Sequence, residues 1–299
     1  MSGKLRGKYQ EVNEHQTALN IIKREMELDK IALSSFIFIV AIIILVFAAS
    51  FVIDQTDALR FDLGMVNLAP SINHIFGTDN FGRDGFLMLI VAARNTLTIT
   101  VLVTLISSAF GVIYGLISGY VGGRIDNFMM RIVDGMSILP NVVIMIAFVA
   151  IIGRFSLFTF TVLMSLLTWT APAKMVRAKL IQEKELEYIQ ASLTLGTSHF
   201  KIITNQLLPN LSTIIIASIV VNAVGIIGIE AGISFIGFGF PPEMPSLGTL
   251  VSEARRVHVM TNRWWSWVPA TSLIVLILFS INNIGNMLNR ATDARQRRG

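Results

Sequence analysis

Long apolar runs alternate with short polar segments along most of the chain. A helix needs about 20 apolar residues to cross the hydrocarbon core of a bilayer. Six segments reach or approach that length, although Pro140 interrupts the third and the fourth is short and contains Thr and Ser. They are residues 31–53, 95–119, 129–152, 155–173, 211–234 and 266–288. The pattern therefore predicts an all-α integral membrane protein with six transmembrane helices.

The distribution of Lys and Arg predicts the orientation of these spans. Most of the 24 basic residues lie in the two terminal tails and in the polar segments that share a side with them. Cytoplasmic loops of membrane proteins carry an excess of Lys and Arg, so both termini are expected in the cytoplasm. Trp264, Trp265 and Trp267 cluster at the outer edge of the sixth span, as an aromatic belt would.

Composition supports the membrane assignment and excludes several other classes. The chain is 53% hydrophobic and 14% charged, whereas a soluble domain is about 25% charged. The net charge of +5 follows from the topological use of Lys and Arg, so it does not indicate nucleic-acid binding. Cysteine is absent, which excludes disulfides, thiol catalysis and Cys-based metal sites.

Motifs of covalent chemistry are missing from the sequence. It contains no GxxxxGK[ST] phosphate-binding loop, no HExxH and no GxSxG. The 4 histidines are far apart in sequence and lie outside the predicted spans. We therefore expect no catalytic residue, no metal site and no cofactor bound by this chain.

Few ionisable residues lie inside the predicted spans, and these are functional candidates by default. Asp134, at the inner end of span three, is expected to pair with Arg131 or to face water. Glu230, toward the outer end of span five, either forms structural hydrogen bonds or lines the translocation path or an outer gate. Asn222, midway along that span, either faces a cavity or bonds a neighbouring helix. These groups do not form a chain, which disfavours a proton relay and hence a secondary transporter.

Gly111, Gly115 and Gly119 recur at every fourth position of span two. They share one helix face and allow another helix to approach closely. That face packs within this subunit, or alternatively it meets a partner subunit or moves during gating.

The segment 174–210 is a basic, polar stretch held between two spans. It predicts a helix from Pro172 to Ser192 that Gly196 ends, followed by a second helix over Ser198–Leu208. Pro209 is expected to redirect the chain into span five. Such a hairpin is a docking element for a cytoplasmic partner, and the alternative is an amphipathic loop on the lipid surface.

The second helix of this segment is expected to be amphipathic. Phe200, Ile203 and Leu207 would share one of its faces.

From Glu187 the chain runs EYIQASLTLGTSHFKIITNQLLP, which resembles the cytoplasmic signature of type I ABC-importer permeases. That signature is Glu-Ala-Ala, three residues, Gly, nine residues, then Ile-x-Leu-Pro. The matching positions are Ala191, Gly196, Leu208 and Pro209, and the departing positions are Gln190, Ser192 and Gln206. The carboxylate that the signature places at position 190 is lost, although Glu187 lies one turn away.

Three further segments resemble the second permease of the importers for oligopeptides, dipeptides or nickel. They are GTDNFGRDGF (77–86), YVGGRIDNFMMRIVDGMSILP (120–140) and GFGFPPEMPSLGTLVSEAR (237–255), the last with Leu247 in place of Trp. In the first, Thr78 or Asp79 is expected to cap a short interfacial helix, and Arg83 is expected to pair with Asp84.

The resemblance implies the type I ABC-importer permease fold and a division of the chain into tails, spans and a core. The division is a cytoplasmic tail 1–30, a first transmembrane helix 31–53, an external loop 54–93 with an interfacial helix, a permease core 94–290 containing the coupling loop 174–210, and a cytoplasmic tail 291–299.

The function implied by the resemblance is transport without covalent chemistry in this chain. The chain would form half of the path of an oligopeptide importer in a bacterial cell membrane. A homologous permease, two cytoplasmic ATPases that use ATP and Mg, and an extracellular or periplasmic peptide-binding protein would complete it. The residues that would couple to the ATPases are Glu187, Gln190, Ala191, Ser192, Gly196, Phe200, Leu208 and Pro209. A permease for dipeptides, nickel or another small solute is the alternative.

Overall fold

The computed structural model describes residues 26, 28–53, 55–152 and 156–296, and its regular elements are helices. Most of the predicted N-terminal tail, residues 1–25 and 27, and the last residues of the C-terminal tail, 297–299, lie outside the described residues. The helices in chain order are α1 (Lys30–Val52), α2 (Gln55–Ala58), α3 (Gly85–Val121), α4 (Gly123–Ile138), α5 (Asn141–Ile152), α6 (Leu157–Thr168), α7 (Thr170–Lys184), α8 (Glu187–Thr194), α9 (His199–Ile202), α10 (Leu208–Ile233), α11 (Leu247–Val251), α12 (Val257–Asn262) and α13 (Val268–Gln296).

Within the described residues, four helical stretches are long and apolar enough to cross a membrane. These stretches are Lys30–Val52, Gly85–Val121, His199–Phe238 and Val268–Arg290. The helices α4 and α5 add a fifth if they form one broken span, since they meet at an angle of 71°. Pro140 explains the break, because proline forces Leu139 before it into an extended conformation, with φ −72° and ψ 125°.

The fourth predicted span, 155–173, corresponds to α6 and the start of α7. The helix α6 has 12 residues, fewer than a bilayer core requires. Trp169 alone separates α6 from α7, and its backbone is itself in the right-handed helical region. The chain therefore follows an almost continuous helical path from Leu157 to Lys184.

The helix α3 begins at Gly85, well before the predicted start of span two at residue 95. The carboxylate of Asp84 caps it by accepting hydrogen bonds from the backbone nitrogens of Phe86 (2.8 Å) and Leu87 (3.0 Å). The prediction that Thr78 or Asp79 caps a helix here was wrong. The Thr78 hydroxyl instead accepts from the backbone nitrogen of Leu68 at 2.8 Å, which holds together the loop between α2 and α3.

The glycine face of α3 packs against α7 of the same chain. A Cβ atom on Gly115 would lie 2.4 Å from the backbone oxygen of Ala173, and one on Gly111 would lie 2.4 Å from that of Trp169. No side chain fits in that space, so glycine lets the two backbones touch. The interpretation that this face packs within the subunit is confirmed, and the proposal of a partner-facing surface was wrong.

The start of α1 lies beside the end of α13. Asp29 caps α1, accepting from the backbone nitrogens of Ile31 and Ala32 at 3.0 Å each, and it also pairs with Arg290. The backbone hydrogen bond from Ala32, with the nearby Arg290 charge, holds the pKa of Asp29 below its usual value. The two chain ends therefore leave the described part of the molecule close together.

Candidate functional site

The polar segment between α7 and α10 folds into a tight helical hairpin. The helix predicted from Pro172 to Ser192 is broken: α7 ends at Lys184, and α8 begins at Glu187 after the extended residue Leu186. The prediction of one continuous helix was therefore wrong. The break turns α8 away from the axis of α7.

Gly196 ends α8, as the sequence predicted. Its φ of +81° lies in the left-handed region that L side chains rarely adopt. The backbone nitrogens of Gly196 and Thr197 donate to the carbonyls of Leu193 and Ser192, each at 3.0 Å. This pair of bonds is the Schellman arrangement that closes a helix C-terminus.

The second half of the hairpin does not turn at Pro209. A π-helical turn over Ile203–Leu207 joins α9 directly to α10, and Pro209 lies in the first turn of α10. The wider π turn accommodates a proline, which has no N–H to donate and would clash inside a regular helix. The prediction that Pro209 redirects the chain was therefore wrong.

The π turn also changes which residues share a face. Leu207 is fully buried, whereas Phe200 is 78% exposed. The predicted common face of Phe200, Ile203 and Leu207 was therefore wrong, because its spacing assumed an uninterrupted α-helix.

Polar side chains join the two halves of the hairpin. The amide nitrogen of Gln206 donates to the Ser192 hydroxyl at 3.0 Å, and that of Asn210 donates to the Tyr188 hydroxyl at 2.5 Å. Ser192 and Gln206 are both positions where the chain departs from the family signature. The two departures therefore contact each other.

The hairpin has one buried side and one exposed apolar tip. Five fully buried residues anchor it below the ends of α3 and α7: Leu180, Ile189, Ile202, Leu207 and Leu211. At the tip, the Leu195 side chain is 85% exposed and that of Phe200 is 78% exposed. Large apolar groups held outward on a well-anchored turn are typical of a protein-binding surface.

The structure brings all the predicted coupling residues to this hairpin. Those with exposed positions are Glu187, Gln190, Ala191, Gly196, Phe200 and Pro209, and those half-buried are Ser192 and Leu208. The amide nitrogen of Gln190 donates to the backbone oxygen of Lys184 at 2.9 Å, across the break between α7 and α8.

The hairpin is tied to α3 by contacts that sequence reasoning missed. The Tyr120 hydroxyl lies 2.5 Å from Nδ1 of His199, and Nζ of Lys184 donates to the backbone oxygen of Tyr120 at 2.6 Å. No spacing in the sequence relates these three residues. The long-range packing of α7 on α3 brings them together.

An ion pair joins α7 to α4, with the Asp126 side chain 10% and the Arg177 side chain 29% exposed, and no pattern in the sequence predicts it. Nε of Arg177 donates to one carboxylate oxygen of Asp126 at 2.6 Å, and Nη2 donates to the other at 2.5 Å. The Ser118 hydroxyl, near the end of α3, also donates to Asp126. The hydrogen-bonded Asp126 carboxylate raises the pKa of Arg177 above its usual value.

A second pair between α4 and α7 is exposed. Nζ of Lys174 lies 2.8 Å from the Asp134 carboxylate. The expectation that Asp134 pairs with Arg131 was wrong, because α7 places Lys174 beside it.

The two candidates for the path are engaged inside the subunit. Nδ2 of Asn222 donates to the hydroxyls of Ser107 (2.8 Å) and Ser108 (3.3 Å) on α3. Glu230 is 1% exposed, and one of its carboxylate oxygens accepts from Ser234 (2.8 Å) and Ser246 (2.6 Å). The alternative that Asn222 bonds a neighbouring helix is therefore confirmed. The alternative that Glu230 forms structural hydrogen bonds is confirmed as well.

The signature segments 77–86 and 237–255 contact each other. Nη1 of Arg83, in the first segment, donates to the backbone oxygen of Pro242, in the last, at 3.3 Å. The predicted pair of Arg83 with Asp84 was wrong. Arg83 pairs with Asp79 at 2.7 Å, and Asp84 contacts His74 at 2.7 Å.

A cavity of about 210 Å³ lies between these two segments. Below it, Nδ2 of Asn95 donates to the backbone oxygen of Pro245 at 2.7 Å, and the backbone nitrogen of Leu247 donates to the Thr96 hydroxyl at 3.0 Å. The proline-rich loop is therefore fixed to the N-terminal half of α3.

Known proteins that are similar to this chain in sequence are permease proteins of peptide transport systems. The oligopeptide transport system permease protein OppC of Lactococcus lactis subsp. cremoris is 42% identical over 94% of this chain and 97% of its own length. The dipeptide transport system permease protein DppC of Bacillus subtilis is 32% identical over 92% of this chain and 85% of its own length.

The fold is also found in a solved transporter. A chain of the MetNI methionine ABC transporter, in an inward-facing conformation, superimposes with a TM-score of 0.57 at 19% identity, covering 69% of this chain and 96% of that one. The family model for the binding-protein-dependent transport system inner membrane component matches residues 111–298. The chain thus belongs to this family, as a multi-pass, non-catalytic membrane permease subunit of a type I ABC importer.

Proposed function

We propose that this chain forms half of the translocation path of an ATP-driven importer of oligopeptides. The observation that carries the coupling to ATP is the hairpin between α7 and α10, whose apolar tip, Leu195 and Phe200, is exposed while its base is fully buried. The substrate class rests on the 42% identity to a relative named as an oligopeptide permease.

The topology we propose has six transmembrane helices and both termini in the cytoplasm. The nearly continuous helical path from Leu157 to Lys184 supports a sixth span, since 28 helical residues at about 1.5 Å each exceed the thickness of a bilayer core. The contact between Asp29 and Arg290 supports a common side for the two ends. The proposed division is then a tail 1–30, a first span 31–53, an external loop 54–93, a core 94–290 and a tail 291–299.

The proposed partners follow from the family. A homologous permease would form the other half of the path within the bilayer, and two cytoplasmic ATPases would bind the hairpins of the two permeases. An extracellular or periplasmic binding protein would deliver the peptide to the external face. ATP and Mg would be used by the ATPases.

The proposed contact with an ATPase centres on the hairpin tip. Leu195 and Phe200 would enter an apolar groove, while Gly196 sets the turn between them and Glu187, Gln190 and Ala191 extend the contact along α8. Ser192, Leu208 and Pro209 would support this surface from inside the hairpin. A protein groove suits these residues better than a lipid surface, because a lipid-bound loop does not require a fixed turn at Gly196.

The proposed mechanism is a change in the balance between two conformations. ATP binding would close the ATPase pair and displace the hairpin, which would turn the spans from an inward-open to an outward-open arrangement. A ligand shifts such a balance only through its different affinity for the two states. Here ATP supplies that difference, and the hairpin transmits it.

Asn222 and Glu230 are the proposed contributors to the path or its outer gate. Asn222 is half-buried beside two serines of α3, a polar position in the middle of the spans. Glu230 fixes the external loop through Ser246, so it would move with that loop when an outer gate opens.

The experiment that tests this function is reconstitution of the permease pair with its ATPases and binding protein in liposomes. We expect oligopeptides to stimulate ATP hydrolysis and to accumulate inside the vesicles. If only dipeptides or only nickel stimulated ATP hydrolysis, that solute would replace oligopeptides as the assigned substrate. An absence of ATP-dependent uptake of any of these solutes would overturn the proposal.

A further inference from the structure

The ion pair Arg177–Asp126 connects the helix that leads into the hairpin, α7, with α4. Arg177 lies on α7, two helical turns before the hairpin begins, and Asp126 lies in the first turn of α4. The guanidinium spans both carboxylate oxygens, with distances of 2.6 and 2.5 Å. This two-point geometry fixes orientation as well as distance.

The carboxylate of the pair lies in the interior of the subunit, whereas the Arg177 side chain is 29% exposed. Asp126 is 7% exposed, and Ser118 at the end of α3 donates a further hydrogen bond to it. A buried charge that loses its partner is strongly unfavourable, so the pair resists separation. One carboxylate therefore joins three helices, α3, α4 and α7.

The glycine face of α3 provides the adjoining contact. A Cβ on Gly119 would lie 3.2 Å from the backbone oxygen of Arg177, and one on Gly115 would lie 3.1 Å from its backbone nitrogen. The side chains of Leu180 and Pro172 also lie against this face, since a Cβ on Gly119 or Gly111 would meet them at 2.8 and 2.9 Å. The ion pair adds a directional contact between α7 and α4 beside this packed face.

We propose that Arg177 and Asp126 are positioning residues that make α7 move as one body with α3 and α4 when the hairpin is displaced. The pair contacts neither ATP nor peptide; it prevents slip between the arm that the ATPase moves and the spans that form the path. Without the pair, ATP hydrolysis continues while import falls. This inference rests on the proposed function, because it assumes that the hairpin is driven by an ATPase.

A second pair on the same two helices provides a matched control. Lys174 and Asp134 also join α7 to α4, but their side chains are 43% and 64% exposed. Exposed pairs contribute little, because water screens them and long side chains lose freedom on pairing. Loss of that pair should leave the connection between α7 and α4 intact.

The test uses the complete importer in liposomes, with ATP hydrolysed and peptide imported measured on the same vesicles. For Asp126→Asn we expect the ATP hydrolysed per peptide imported to rise at least about fivefold, the lower end of typical coupling between sites. For Asp134→Asn we expect the wild-type ratio. A purely structural role would reduce the amount of assembled complex and leave the ratio unchanged.

Arg177→Lys decides the question if Asp126→Asn does not assemble. Lysine keeps the charge but cannot span both carboxylate oxygens, so we expect an intermediate ratio. An unchanged ratio in an assembled variant of the Arg177–Asp126 pair, or an equal rise in Asp134→Asn, would overturn the inference. A wild-type complex that hydrolyses ATP without importing peptide would instead contradict the proposed function itself.

Discussion

Ser192 and Gln206 meet across the hairpin, with the Gln206 amide nitrogen 3.0 Å from the Ser192 hydroxyl. Each residue replaces an apolar residue of the family signature, Ala at position 192 and Ile at position 206. In this chain the two replaced positions therefore contact each other through a hydrogen bond.

This contact predicts a strongly non-additive pair of substitutions. Ser192→Ala should cost about 1 kcal/mol of unfolding free energy, because it leaves the Gln206 amide without this partner. Gln206→Ile should cost less, since the Ser192 hydroxyl still donates to the backbone oxygen of Tyr188 at 2.9 Å.

The double variant restores the apolar pair of the signature. Its unfolding free energy in detergent should lie close to wild type, with an interaction energy of about 1–2 kcal/mol between the sites. Two effects that simply add would show that the side chains do not depend on each other.

Packing of α3 on α7 predicts a sharp difference between two glycines. Gly115→Ala should lower the unfolding free energy by about 1–3 kcal/mol, because the new methyl group meets the Ala173 backbone oxygen. Gly225→Ala on α10 is the control, since its Cβ has no neighbour within 4 Å and alanine favours the helix. Denaturant unfolding of the purified subunit measures both, and equal stability of the two variants would argue against the close contact.

The turn at Gly196 predicts an effect of strain without a clash. A Cβ there meets no atom within 4 Å, but φ is +81°. Gly196→Ala should cost about 1–2 kcal/mol, and Gly196→Asn less, because asparagine tolerates the left-handed region.

The same two variants should differ in their binding to the ATPases. Alanine, the smaller side chain, should weaken co-purification with the ATPases more than asparagine does. The reverse order would mean that the size of the residue, and not the turn, governs the contact.

The external loop predicts a local change in hydrogen exchange. Asn95→Ala removes the bond to the Pro245 backbone oxygen and should speed exchange of the Ser246 and Leu247 amides about tenfold or more, since a lost buried hydrogen bond costs about 1–3 kcal/mol. Asn283→Ala is the control, because Asn283 bonds Ser35 on another helix pair. Equal exchange of the loop in both variants would mean that Asn95 does not hold it.

Local signals in the sequence predicted the features that depend on neighbouring residues. The apolar runs predicted the long helices, Pro140 predicted the break between α4 and α5, and Gly196 predicted the end of α8. Each of these features depends on the backbone preference of one residue or on a continuous run of apolar residues. Both can be recognised in the sequence alone.

Features that depend on long-range packing could not be predicted in this way. The π turn over Ile203–Leu207 rotates Leu207 and the residues after it relative to an α-helical count, so Leu207 does not share a face with Phe200. Asp126 and Arg177 lie far apart in sequence and meet only because the α3 glycine face lets α7 approach. The cap at Asp84 was missed because Thr78 and Asp79 are equally good capping residues, and Thr78 is taken up by the external loop.

The central claim, that the hairpin tip is the cytoplasmic docking surface for an ATPase, can be tested directly because the chain contains 0 Cys. Leu195→Cys places a single thiol at the tip, and Ile72→Cys places one at a fully exposed position of the external loop, 99% accessible. Labelling with a membrane-impermeant maleimide is then compared in inverted and right-side-out vesicles, with and without the ATPases. The account predicts that the thiol at 195 reacts only in inverted vesicles and is protected by the ATPases, while the thiol at 72 reacts only in right-side-out vesicles and is unaffected. Labelling of both thiols from one side, or undiminished labelling at 195 in the assembled complex, would contradict it.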